Sequence, residues 1–157
     1  MRMAEVSIVG TAFDPAAEAA RLVVDGAVGA TVSFVGYCRD EGGRLAALEL
    51  EHYPGMAEEE IGRIAAEAKR RWPITGLRVV HRHGLVRPGE PIVLVATASA
   101  HRAAAFDAAA FLMDFLKTRA PFWKREHGAD GNISGWVSAT DADDSAAARW
   151  AEAERPG

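Results

Sequence analysis

Eight consecutive residues, Ile92-Val-Leu-Val-Ala-Thr-Ala-Ser99, carry no charge and neither glycine nor proline. Such an apolar run, rich in β-branched side chains, predicts the central strand of a sheet. A central strand needs neighbours beside it and cover on its faces, and the rest of the chain supplies both. Asp14-Pro15 offers an N-cap followed by proline at the first helical position, predicting a helix to about residue 25 that Gly26 stops. Ala57, Ile61, Ile64, Ala65, Ala68 and Trp72 form an apolar stripe at helical spacing, predicting a helix over 57–72 that ends before Pro73. A third helix is predicted over 101–118, with Pro121 beyond it. Strands are expected over 5–13, 27–39, 45–53, 77–86 and, last, 133–138. In the first of these Val6, Ile8 and Gly10 share a face; in the third, Leu48, Leu50 and His52 share one. Gly29 and Gly36 mark places on the second strand where another group approaches closely. Asp40-Glu41-Gly42-Gly43 and Arg87-Pro88-Gly89-Glu90 read as turns. Hairpins interspersed with helices give an α+β fold rather than a doubly wound parallel sheet.

At 157 residues the chain is long enough for one real core without staples. Residues 1–139 read as a single domain. The Ala-, Asp- and Glu-rich stretch 140–157 has little to bury before Trp150 and is expected to be mobile or weakly docked. A hydrophobic fraction of 49% with 25% charged residues excludes wholesale disorder. The formal charge of −4 argues against non-specific nucleic-acid binding. Cys38 is the single cysteine, so no internal disulfide is possible, which fits a reducing compartment. No apolar stretch approaches the roughly 20 residues a membrane-spanning helix needs. The first residues lack the apolar region of a signal peptide. The expected location is the cytoplasm, without membrane association.

The chemistry-bearing segment runs from Ser99 to Glu126. On a helix, Phe106, Ala110, Met113 and Lys117 fall in one stripe, placing Lys117 in line with apolar residues near the C-terminal end. Lys124 follows the proline stop, so the chain can fold back and bring both amines together. The window 117–126 holds Lys117, Arg119, Lys124 and Arg125 against Glu126 alone, a local reversal of charge that suits an anionic ligand. A lysine at a helix C-terminus also simply meets the dipole. A partly desolvated one can act as acid, base or nucleophile. His101 and Arg102 open the third helix, where free N–H groups and a guanidinium can hold a phosphate or carboxylate; equally, they can only finish the helix and meet solvent. Arg39 leaves a strand and can reach into a cleft. Cys38 beside it reads more readily as a small buried hydrophobe than as a nucleophile. His81 and His83 share a strand face, and with His52, His101 and His127 complete the histidines. No zinc-ligand spacing accompanies them, so no metal or cofactor is expected. The His-Arg and Arg-His pairs of 81–83 could extend an anion site. No phosphate loop or dinucleotide fingerprint stands at a strand-to-helix junction.

Several blocks resemble the large, catalytic subunit of the molybdopterin synthase family. They are Gly29-Ala-Thr-Val-Ser-Phe-Val-Gly-Tyr-Cys-Arg39-Asp40, Leu50-Glu-His-Tyr-Pro-Gly-Met-Ala57, His81-Arg-His-Gly84 with Gly89-Glu90, and Ser99-Ala-His-Arg-Ala-Ala-Ala-Phe106. The last and longest is Met113-Asp-Phe-Leu-Lys117-Thr-Arg-Ala-Pro-Phe-Trp-Lys-Arg-Glu126. The resemblance implies an α/β hammerhead with an additional antiparallel β-sheet. It implies a central homodimer with a small β-grasp sulfur-carrier subunit docked at each end, making a heterotetramer. The carrier's C-terminal Gly-Gly thiocarboxylate would deliver sulfur to cyclic pyranopterin monophosphate, building the molybdopterin dithiolene. Carried over by position, Lys117 and Lys124 match the active-site lysines. Arg39, His101 and Arg102 match residues around the substrate phosphate and pterin. Tyr37 and Cys38 flank Arg39 in the binding strand and would bind substrate through backbone groups, and Arg125 and Glu126 extend the second lysine's segment as further expected substrate-binding residues. Cys38 stands where an aliphatic residue is expected, and sulfur arriving on a carrier makes a protein thiol unnecessary. The competing readings are a non-catalytic module that binds a phosphorylated metabolite and, more weakly, an RNA-binding domain that stacks bases on Phe122 and Trp123.

Overall fold

The computed structural model describes residues 5–119, 121–137 and 148–150. The predicted central strand is there as β6 (Pro91–Ser99), and it is buried on both faces. Val93 and Val95 face one cluster with Ile61, Ile64, Phe111, Leu112 and Phe115. Leu94, Ala96 and Ala98 face a smaller one with Leu22 and Val80. Around β6 a four-stranded sheet runs in the order β1 (Val6–Val9), β4 (Ile74–Arg82), β6, β2 (Ala30–Tyr37). β1 joins β4 in parallel, while β4 and β2 both run antiparallel to β6. A second, three-stranded antiparallel sheet has the order β5 (Gly84–Val86), β3 (Leu45–His52), β7 (Phe122–Gly128). The mixed α+β architecture with an additional antiparallel sheet is thus present.

Helix α2 (Met56–Arg71) buries the predicted stripe, with Ala57, Ile61 and Ala68 fully covered. Glu58, in its first turn, reaches back to the backbone N–H of Gly55 at 2.6 Å, and Lys69, Arg70 and Arg71 close the last turn where cations meet the dipole favourably. Helix α3 (Arg102–Thr118) buries Ala104, Ala105, Ala108, Phe111, Leu112, Phe115 and Leu116. The stripe drawn through Phe106, Ala110, Met113 and Lys117 is therefore the flank of α3 and not its buried face: Phe106 is 59% exposed and Lys117 is exposed. The predicted close approaches are real. A Cβ on Gly29 would lie 2.1 Å from the Ala100 carbonyl oxygen, and one on Gly36 would lie 2.9 Å from Val93 Cγ1.

Three expectations are corrected. α1 is only Pro15–Ala20, capped by Asp14, whose Oδ1 accepts from Ala17 N–H at 3.2 Å. Beyond it only Leu22 finds a buried place, and the exposed Val23 and Val24 give a longer helix nothing to pack. The strand expected over 77–86 is two strands in two sheets, broken where Gly84 takes φ +84°. The last strand is β7 at Phe122–Gly128, whereas 133–137 contributes only the bridges His127–Ile133 and Lys124–Val137. Charges on both faces of β7 hide its period of two. Of the tail, expected to be mobile or weakly docked, residues 148–150 are described and make contacts with the body. Trp150 packs edge-on against Trp72 and Phe111 at 5.5 and 5.7 Å, and its indole N–H donates to Asp114 at 2.7 Å. Residues 138–147 and 151–157, where the rest of that expectation falls, lie outside the described residues.

Candidate active site

A two-residue link turns β6 into α3, and Thr97 on β6 donates to the Ala105 carbonyl on α3 at 2.7 Å. α3 therefore runs back along the sheet, so its C-terminal end stands near the start of β6. β2, antiparallel to β6, brings Tyr37 opposite Pro91 at that same end. Lys117 in the last turn of α3 and the Tyr37-Cys38-Arg39 exit of β2 thus share one end of the molecule. Arg39 is 82% exposed and donates to Glu41 at 3.1 Å, a surface pair that leaves the guanidinium available. Tyr37 is exposed. Cys38 is buried, and its backbone pairs with the next turn: its N–H donates to Glu90 O at 2.9 Å and its carbonyl accepts from Gly89 N–H at 2.7 Å. Burial pushes its thiol pKa up, so the thiol is a packing group rather than a thiolate.

β7 carries Lys124 to the same end. Phe122, Lys124 and Glu126 alternate onto one face of the strand, and Lys124 pairs with Leu50 across the sheet. The Phe122 ring lies flat on His81, with centroids 3.8 Å apart and planes at 15°. Desolvation pulls the His81 pKa down to about 4, and the positive charge of Lys117 pushes the same way. Lys117, from α3, and Lys124, from β7, therefore border one region that holds a neutral imidazole and an aromatic ring.

Not every residue singled out in the sequence joins them. Arg125 alternates to the opposite face of β7. There its Nε donates to Glu49 at 2.9 Å and its guanidinium covers the Trp136 ring at 4.4 Å. Glu49 also meets His127 at 2.7 Å, and the hydrogen bonds from Arg125 and then His127 hold its carboxyl below the ordinary range. Glu126 is exposed, with its backbone N–H donating to Ser134 Oγ at 2.8 Å. His101 and Arg102 are exposed at the opposite end of α3. Fifteen residues separate Arg102 from Lys117 on one helix, about 22 Å along its axis. The His101 side chain makes no capping hydrogen bond among the described residues. Arg82 is turned inward among its own neighbours. It is 8% exposed, donating from Nη2 to Leu85 O at 3.0 Å with Nη1 3.3 Å from Glu90. In the sequence Phe122 stood out only as a base-stacking platform, His52 only as a possible ligand, and His81 as a possible ligand or anion-site residue. The alternation of Phe122 with Lys124 was their one available signal.

A sequence profile described as MoaE protein matches residues 8–119. The chain belongs to the MoaE family, the catalytic subunits of molybdopterin synthase. The molybdopterin synthase catalytic subunit of Mesorhizobium japonicum is 68% identical over 139 residues, 88% of this chain and 87% of that one. Its counterpart from Pseudomonas aeruginosa is 51% identical, covering 94% of this chain and 99% of the relative. Among solved structures, the molybdopterin biosynthesis MoaE protein of Burkholderia ambifaria superposes with a TM-score of 0.80 at 49% identity, covering 95% of this chain and 99% of that chain. Molybdopterin synthase from Staphylococcus aureus gives a TM-score of 0.76 at 31% identity, over 85% and 99% of the two chains. This MoaE-family chain is accordingly a sulfur-transferring enzyme, and none of its described helices is long and apolar enough to cross a membrane.

Proposed function

We propose that this chain takes sulfur from the C-terminal thiocarboxylate of a small β-grasp carrier and places it on cyclic pyranopterin monophosphate, twice, to make the molybdopterin dithiolene. The observation that carries the reading is the gathering of Lys117, Lys124 and Arg39 at one end of a MoaE-family chain. The precursor is an anion whose cyclic phosphate opens, and preorganised cations hold the charge that develops. Arg39 suits a forked phosphate contact. Lys117 acts closest to the transfer centre, pairing with the incoming thiocarboxylate and supplying a proton to the departing oxygen, and Lys124 assists. In each transfer the sulfur–carbon bond to the carrier breaks, a bond to the pterin forms, and the carrier leaves as a carboxylate once water has replaced the sulfur. Cys38 takes no part, and the reaction calls for no resident metal.

His101 and Arg102 lie too far from Lys117 to serve the same site within one chain. A homodimer resolves this. Two copies related by a two-fold axis across α3 set the helix start of one beside the helix end of the other. Among the described residues β2 is a sheet edge, with Phe34 42% exposed, and the neighbouring flank of α3 shows Phe106, 59% exposed, which suits such a contact. The core pair with two carriers would form the heterotetramer, acting in the cytoplasm.

The deciding experiment combines this protein, a thiocarboxylated carrier and the cyclic precursor, with dithiolene product as the readout. Product is expected only when all three are present. Lys117→Ala is expected to lower the single-turnover rate by about a hundred-fold, within the range for loss of a positioned proton-transfer group. A fully active Lys117→Ala enzyme would refute the assignment. A monomeric mass by light scattering at micromolar concentration would refute the dimer.

A further inference from the structure

We propose that His81 and Phe122 form a positioning joint that sets Lys117 and Lys124 against one another; this rests on the roles given to the two lysines above. The lysines belong to different layers. Lys117 is carried by α3, which packs on the four-stranded sheet, and Lys124 by β7 of the three-stranded sheet. The two sheets have separate hydrogen-bonded ladders joined by the short link from β4 to β5, so the placement of one amine relative to the other depends also on side chains that cross between them.

The contact that crosses beside both amines is the flat stack of His81, from β4, on Phe122, from β7, at 3.8 Å. Phe122 stands two residues before Lys124 on the same face of the strand, so the stack anchors the stretch of β7 from which the amine rises. The partner ring is pinned as well. A carbonyl oxygen only accepts, so His81 Nδ1–H donates to Arg82 O at 2.8 Å, which sets the ring plane and leaves Nε2 without a proton. Desolvation keeps the imidazole neutral at ordinary pH, so it adds no charge beside Lys117. A third ring backs the stack. His52, directly opposite Phe122 in register, lies 5.9 Å from it and 4.8 Å from His83, with Nε2 3.9 Å from the Glu58 carboxylate. Side chains from β3, α2, the end of β4 and β7 thus converge on one joint. His81 and Phe122 are positioning residues: they reach the reaction only through the lysines.

The test is single-turnover sulfur transfer by the full chain with thiocarboxylated carrier and precursor, alongside carrier affinity and thermal melting. His81→Ala is expected to slow transfer by about ten-fold or more through misplacement of the amines. KM for the precursor and carrier affinity should stay within about two-fold, because ground-state binding is kept. His81→Phe keeps a flat ring on Phe122 and is expected to restore the rate to within about three-fold of the parent. Phe122→Leu keeps bulk but removes the stack, and is expected to behave like His81→Ala. Parental rates in both His81→Ala and Phe122→Leu, with Lys117→Ala inactive, would overturn the joint and leave the lysine assignment standing. A His81→Phe enzyme no faster than Phe122→Leu would also overturn it, and that comparison decides the matter if His81→Ala does not fold. A fully active Lys117→Ala would instead remove the assignment on which the joint rests.

Discussion

Replacing Trp150 tests whether the last described helical turn is part of the folded body. Its indole packs edge-on against Trp72 and Phe111, and its N–H donates at 2.7 Å to the Asp114 carboxylate on α3. Arg149 donates to the same oxygen at 2.7 Å, and Arg71 holds the Trp150 carbonyl at 3.0 Å. Trp150→Phe keeps the aromatic contacts and loses the hydrogen bond to a charged acceptor, a cost of about 1–2 kcal/mol at a partly exposed site. Trp150→Ala also opens a gap between two aromatic rings. Complete burial would put that loss at about 3–5 kcal/mol, and partial exposure brings it to about 3. For a chain of this size each kcal/mol moves Tm by about 2–4 °C, so the alanine variant should melt roughly 6–12 °C lower. Urea unfolding should report the same order, Ala below Phe below parent. In a double-mutant cycle with Asp114→Ala, which removes the acceptor, the Trp150→Phe loss should shrink, because both changes remove one interaction. A Trp150→Ala protein within about 0.5 kcal/mol of the parent would refute the docking, since that is the scatter of surface substitutions.

Cys38→Ser is expected to keep full turnover, and the native thiol should react slowly with a thiol reagent at pH 8 because burial holds it protonated; rapid labelling or dependence of turnover on the thiol would contradict this. Gly29→Ala places a Cβ 2.1 Å from the Ala100 carbonyl, so the link into α3 must shift, with an expected loss of about 2–3 kcal/mol in urea unfolding. Glu49 titrates below its usual range because Arg125 and His127 bind its ionised form. Its folded pKa is the lower one, so the unfolded chain binds more protons in the interval between the two values. The pairing therefore adds stability above the ordinary carboxylate pKa and loses it as pH falls through the depressed one. Glu49→Gln should flatten the acid limb of a stability-versus-pH curve below about pH 4.5, and an unchanged limb would count against the pairing.

Much of this protein was settled by residues acting within one element. The uncharged run at 92–99 has no surface to offer water on either face, so it becomes the buried centre of a sheet wherever its neighbours lie. The stripe of α2 and the Asp14 cap are likewise local properties, carried by spacing and side-chain chemistry. The lysines and Arg39 could be named from the sequence, through motifs that resemble a family. What only the tertiary structure decided is where these pieces meet. β7 has charges on both faces, so its strand character comes from pairing with β3 and not from a hydrophobic period. That pairing sends Lys124 and Arg125, adjacent in sequence, to opposite faces. Gly84 divides one expected strand between two sheets, and Trp150 finds Trp72 and Phe111 across a long stretch of chain. The helix length puts His101 and Arg102 at the far end from Lys117. Periodicity reports which side of an element is apolar, but which neighbour that side meets depends on contacts between residues far apart in the chain, and those form only as the whole core closes.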